Sequence, residues 1–221
     1  MKKFYLLLFL IGLCVSTQAR AQSSVDARME YESWNSGING KTSAVLYGIG
    51  GSTMINHHWS LSGGFVLGEH TFEDTDSASA SRQDGDVVLA YQLRPKIRVY
   101  GGYRLIRIQY DNDIDNTRSF TDLTHGLGVG VAAYHSLIPK LYAYGRFGIS
   151  ALYSSVDFSV NDDSGTGFGS GFEAGLIYQI LVSTNIGFSV KQQGTVINYN
   201  NDSNKWNHNY LRLGLSLSHT F

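Results

Sequence analysis

The last strand-like segment constrains this chain more than any other feature. From Tyr210 to Phe221 the residues alternate. Leu211, Leu213, Leu215, Leu217 and Phe221 fall on one face, and Arg212, Gly214, Ser216, Ser218 and Thr220 on the other. A period of two is a β-strand whose two faces meet different surroundings. A strand in this position is an unprotected edge unless another strand pairs with it. In a closed barrel that partner is the first strand. His219 is the one residue on the apolar face that breaks the pattern.

The opposite end is consistent with export. Lys2 and Lys3 precede the apolar run Phe4–Val15, and Ala19 and Ala21 offer small residues before Gln22. Residues 1–21 are expected to be a secretory signal peptide, and the run is too short to cross a bilayer as a helix. The single cysteine, Cys14, lies within the run. It follows Leu13, where a lipidation site would want a small residue. The mature chain, 22–221, therefore has no disulfide to stabilise it and needs another device. Removing Lys2, Lys3 and Arg20 from the 17 basic residues leaves 14 against 18 acidic ones. That balance argues against nucleic-acid binding.

Nine earlier segments repeat the alternation: Val25–Tyr31, Val45–Ile49, Trp59–Leu67, Val87–Leu93, Val99–Leu105, Leu127–Val131, Leu141–Ala151, Phe168–Tyr178 and Ile186–Val190. Alternation alone does not say which face meets hydrocarbon, and a soluble barrel would turn its apolar face inward. Three features place lipid outside. The polar face mixes charges with glycines, as a tight interior would. Aromatics stand near segment ends as membrane-interface girdles would: Trp34, Trp59, Tyr91, Tyr153, Phe168, Tyr178, Trp206, Tyr210 and Phe221. Short connections around Asn56–His58, Arg94–Lys96, His135–Lys140 and Ile180–Thr184 alternate with longer polar ones around Asn35–Lys41, Glu73–Gln83, Asp111–Asp122, Ser154–Gly167 and Thr195–Trp206. The expected fold is all-β: a closed, antiparallel, up-and-down transmembrane β-barrel of ten strands, with eight as the alternative.

With this pattern and the terminal phenylalanine, the mature chain resembles the small bacterial outer-membrane β-barrel family, which includes the OmpA/OmpX-type barrel domains. The resemblance implies an outer-membrane location and lipid as surroundings. It also implies periplasmic chaperones and the barrel-assembly machinery as partners during biogenesis. In that family the machinery reads the last strand, here Leu213, Leu215, Leu217 and Phe221; His219 departs from the usual residue at its position.

If the polar face is the lumen, its charges form a set. Asp26, Glu30, Glu32, Asp84, Asp86 and Glu173 stand against Arg28, Arg98, Arg104, Arg146, Lys191 and Arg212. Balanced charges in a narrow interior are expected to pair, making a charge-laced plug in preference to a narrow gated conduit. Closure makes the first and last strands neighbours, so Arg212 is expected beside Glu30 or Glu32.

Three motifs are candidates for chemistry. Asp84-Gly-Asp86 resembles the D-x-D pair at the extracellular lip of omptin proteases. The second couple that those enzymes need has only Asp122 with His125, His70 or His208 to supply it, at a different spacing. The simpler reading is a lumenal ion pair with Arg104 or Arg107. His135-Ser136 resembles the pair of lipid A deacylases but falls in a short periplasmic turn. Asp111, Asp113, Asp115 and Asp122 carry oxygen ligands at spacings that resemble a calcium loop. Asn116 stands where that loop has glycine, and a solvated acidic loop is the preferred reading. No cofactor is expected. The expected function is a non-enzymatic envelope protein with a structural, surface-interaction or adhesion role through polar acidic extracellular loops. A porin-like channel for a small solute is the alternative, and a hydrolase at the lip comes third.

Overall fold

A computed structural model describes residues 22–35, 41–72, 78–112, 119–158, 162–200 and 205–221. The expected signal peptide lies outside the described residues. Ten strands follow one another: β1 (Ser23–Asn35), β2 (Lys41–Met54), β3 (Trp59–Phe72), β4 (Ala78–Arg94), β5 (Ile97–Asn112), β6 (Phe120–Ile138), β7 (Leu141–Phe158), β8 (Asp162–Leu181), β9 (Thr184–Tyr199) and β10 (Lys205–Thr220). Each pairs antiparallel with its sequence neighbours, and β1 pairs with β10 to close the barrel. The seam runs from Ser24 opposite Thr220 to Asn35 opposite Asn209. The terminal strand is thus paired on both sides, with β1 and with β9.

The strands are longer than the sequence pattern suggested. They reach into the segments read as long loops: β4 begins at Ala78, β5 runs to Asn112, β7 to Phe158, and β9 to Tyr199. Lengths of 13 residues for β1 to 20 for β8 exceed the roughly 9–11 needed to cross a bilayer. The surplus lies at the rim away from the short connections. There the alternation continues with its polarity exchanged, which is why it reads as loop.

This exchange divides the barrel into two halves. In the half near the short connections, apolar side chains face outward: Ile49, Leu127 and Phe172 are 67%, 70% and 53% exposed. Their inward neighbours are charged or small. In the outer half, the outward positions are polar: Ser33, Lys41, Ser43, Glu69, Thr71, Arg107, Asp157, Asn207 and Asn209. The inward positions become a buried apolar core of Trp34, Phe72, Ile106, Ile108, Tyr110 and Tyr210, continued by Leu152, Val156, Ile197, Tyr199 and Trp206. The lower half is built for lipid outside, the upper half for water outside.

The girdle expectation is corrected in part. Trp59, Tyr153, Phe168, Tyr178 and Phe221 are exposed on the outer surface. Trp34, Trp206 and Tyr210 are not: each has the strand parity of the lumen and is buried there. Position near a strand end misled; parity decides. His219 faces outward near the rim that carries the short connections, its Nδ1 3.1 Å from Thr184 Oγ1 and its ring edge-on to Phe221.

Lumenal glycines make packing space. A Cβ on Gly130 would lie 2.4 Å from the Tyr100 ring, and one on Gly148 2.8 Å from its hydroxyl. Tyr100 lies across these two strands and donates to the Phe147 carbonyl at 3.0 Å.

Candidate functional site

Beneath the aromatic layer, four strands bring their charges to one point. Glu32 comes from β1, Arg82 and Asp84 from β4, Arg104 from β5 and Arg212 from β10. Arg82 Nη1 donates to Glu32 Oε1 at 3.0 Å, and its Nε donates to Asp84 Oδ1 at 3.0 Å. Arg212 donates to Glu32, to Asp84 and, at 3.1 Å, to Glu30. Arg104 donates to Asp84 at 3.1 Å. Glu32, Arg82, Asp84 and Arg212 are all buried. Charges in such a position are tolerable because each carboxylate receives more than one charge-assisted bond. The approach of Arg212 to Glu30 and Glu32 is the contact expected from closure.

The aromatic layer rests on this network. The Arg82 guanidinium lies 3.8 Å from the Tyr210 ring centroid. Trp34 packs against His70, Tyr110, Tyr210 and His208 with centroids 5.2–5.9 Å apart. His70 Nε2 is 3.1 Å from Glu32 Oε1, and His208 makes no hydrogen bond among the described residues. His208 lies beyond the apolar belt, and its pKa is pushed down to about 4 by burial and by the nearby Arg82 charge. Nearby, Ser154 and Thr124 both donate to Asp122 Oδ1, and Ser154 also meets the Tyr199 hydroxyl at 2.8 Å. Burial raises the pKa of Asp122.

All twelve charges assigned to the lumen face inward. Ten of them line one cavity of about 350 Å³ in the lower half: Asp26, Arg28, Glu30, Asp84, Asp86, Arg104, Arg146, Glu173, Lys191 and Arg212. Arg98 lies nearer the rim of the short connections, in a second cavity of about 370 Å³ that shares Tyr134 and Arg146 with the first. Local pairs hold the walls. Arg28 donates to Asp26 at 2.8 Å, and Glu173 accepts from Arg146 Nε at 2.9 Å and from Tyr144 at 2.7 Å. The vestibule thus opens toward the short connections and ends, outward, at the buried network.

Arg82, Asp122, His70 and His208 were missing from the lumenal set read from sequence. Their parity was the available signal, but each lies in or beside a segment that read as loop or strand margin. Arg107 has the opposite parity and faces outward, so the partner of Asp84 is Arg104 and not Arg107.

The chemistry-bearing motifs take different positions from those expected. Asp84 is under the aromatic layer and Asp86 lines the vestibule, so neither stands at the outer lip. His125 faces outward between Tyr103 and Tyr153, away from Asp122. His135 and Ser136 are exposed near the end of β6 that leads into a short connection. Of the calcium-loop candidates, Asp113 and Asp115 lie outside the described residues. Asp111 is on the outward face of β5, where Gln109 donates to it, while Asp122 is inside β6 and faces the lumen. Among the described residues no cluster of three or more acidic, His or Cys side chains is placed to hold a metal ion. Leu213, Leu215, Leu217 and Phe221, the residues expected to form the assembly signal, are 42%, 48%, 54% and 77% exposed on the outer face.

Comparison with solved structures supports the same architecture. The Escherichia coli outer membrane protease OmpT is 9% identical, with a TM-score of 0.53 over 91% of this chain and 96% of that one. The β domain of the Bordetella autotransporter BrkA is 11% identical, with a TM-score of 0.51 over 90% of this chain and all of that one. At such identities the likeness is one of fold. Among curated proteins, none matches the sequence significantly. A family model, described as the outer membrane protein beta-barrel domain, matches residues 5–137. With ten strands, a lipid-facing lower half and more than half its length matched by that model, the chain belongs to the outer-membrane β-barrel protein family.

Proposed function

We propose that the protein is a sealed, non-enzymatic barrel of the outer membrane that acts in envelope structure or surface interaction through its protruding outer half. The observation that carries this reading is the buried layer of Glu32, Arg82, Asp84 and Arg212 under Trp34 and Tyr210. A solute crossing the barrel would have to separate paired, desolvated charges and a packed aromatic core together. The outer half adds a water-facing collar of polar strands, which lifts the extracellular connections clear of the lipid. The proteolytic reading gains no support, since Asp84 and Asp86 are not presented at the lip, and the deacylase reading gains none, since His135 and Ser136 lie at the opposite end of the barrel. The lipid-facing row Leu213, Leu215, Leu217 and Phe221 has the form that the assembly machinery would read.

Planar-bilayer recording on the refolded protein tests the proposal. A closed baseline is expected. Sustained large openings from purified protein would overturn it in favour of the channel reading.

A further inference from the structure

We propose that the periplasmic vestibule is a binding site for a small oxyanion, held by Lys191 with Arg104 and Arg146 beside it. The inference starts from the company Lys191 keeps. Its side chain lines two lumenal cavities, of about 350 and 160 Å³, which meet at Asp86, Arg104, Arg146, Glu173 and Lys191. Lys191 makes neither an ion pair nor a hydrogen bond among the described residues. The strongest charges acting on it are three guanidiniums, Arg104, Arg146 and Arg212, and the Glu173 carboxylate.

That carboxylate is already engaged. Glu173 accepts from Arg146 through Nε at 2.9 Å and Nη2 at 2.5 Å, and from the Tyr144 hydroxyl at 2.7 Å. Arg212, opposite Lys191 on β10, is spent on Glu30, Glu32 and Asp84. An ammonium among like charges, in a space partly withdrawn from water, needs a counter-charge. Asp86, which also forms no ion pair among the described residues, is compensated differently: it lies in the attractive fields of Arg104 and Arg146. Of the five basic groups that line the larger cavity, Lys191 is the one that forms no ion pair among the described residues, and an anion bound there would supply one.

The geometry suits a small one. The Arg146 side chain is 42% exposed toward the cavity while it holds Glu173, so it has donors to offer a second partner. A carboxylate or phosphate oxygen accepting from Lys191 and Arg146 would complete the wall. Entry is from the periplasmic side, because the cavity ends outward at the buried network. The site itself depends only on the vestibule. An open outer end, found by conductance, would change the route of entry and leave the site standing.

Isothermal titration of the refolded barrel in an uncharged detergent, at fixed ionic strength, with inorganic phosphate and separately with acetate, tests the site. Saturable one-to-one binding by at least one of them is expected. It should weaken tenfold or more in Lys191→Met and be largely kept in Lys191→Arg and in the outward-facing control Lys41→Gln. The stronger of the two anions identifies phosphate or carboxylate as the preferred group. Absence of saturable binding by both, or equal binding by Lys191→Met, would overturn the proposal. Should Lys191→Met fail to refold, amine acylation of the native barrel followed by mass spectrometry decides: the anion is expected to protect Lys191 several-fold and Lys41 not at all. Equal labelling with and without anion would refute it.

Discussion

Arg82 shows how much one side chain can matter here. It is buried, binds two carboxylates and carries the Tyr210 ring. Removing it leaves Glu32 and Asp84 with Arg212 as their main remaining partner. Arg82→Met is expected to lower unfolding stability by about 3–5 kcal/mol, since breaking a buried pair strands a charge. Arg107→Met, on the outer surface, is expected to change it by less than about 0.5 kcal/mol. Urea unfolding in detergent micelles compares the two. His208 supplies a pH dependence. Its pKa is depressed to about 4 in the fold and returns to about 6.5 on unfolding. The folded state keeps the ring neutral, so its contribution is complete above about 6.5 and is lost as the pH falls toward about 4. The loss amounts to roughly 3 kcal/mol across that window. In His208→Phe the stability–pH curve should be flatter there. An unchanged slope would remove His208 as the source.

The strands and their two-faced alternation were legible from period two, because lipid imposes one rule on every outward position of the lower half. Which face meets lipid was legible from the charges and glycines of the polar face and from the alternating connection lengths. The ends of the strands were not. Once β9 rises past Val196, Ile197 and Tyr199 turn inward and Asn198 turns outward. The same period then carries a soluble-barrel pattern, and a search for apolar-out, polar-in stops short. Charge placement was readable wherever a charged residue stood inside a lipid-facing segment. Arg82 escaped because it precedes the apolar run of β4. The turn joining β6 and β7 holds Lys140 at φ 71°, a left-handed conformation that glycine adopts at no cost. Lys140→Gly is expected to be neutral or stabilising by up to about 1 kcal/mol. Gly148→Val is expected to act in the opposite direction, because its side chain would enter the space of the Tyr100 hydroxyl. A loss of about 1–3 kcal/mol is expected. Thermal loss of the compact form on unheated gels ranks both variants.

The two-zone surface makes a prediction about where the bilayer lies. Ile49 stands in the lower belt and Glu69 on the outer collar. Ile49→Arg is expected to cost about 2–4 kcal/mol, as a cation near the hydrocarbon midplane does, and Glu69→Arg close to nothing. Equal costs would show that the collar is also immersed.

Closure of the seam has a consequence for the order of assembly. Arg212 enters with the last strand, yet its three carboxylate partners belong to β1 and β4. Until β10 docks, Glu30, Glu32 and Asp84 face each other with too few cations between them. An unfinished sheet therefore carries mutual repulsion at its centre, relieved only when the final strand zips onto the first. Completion of the ring is favoured electrostatically, because Arg212 brings to three carboxylates the cation that Arg82 and Arg104 leave wanting.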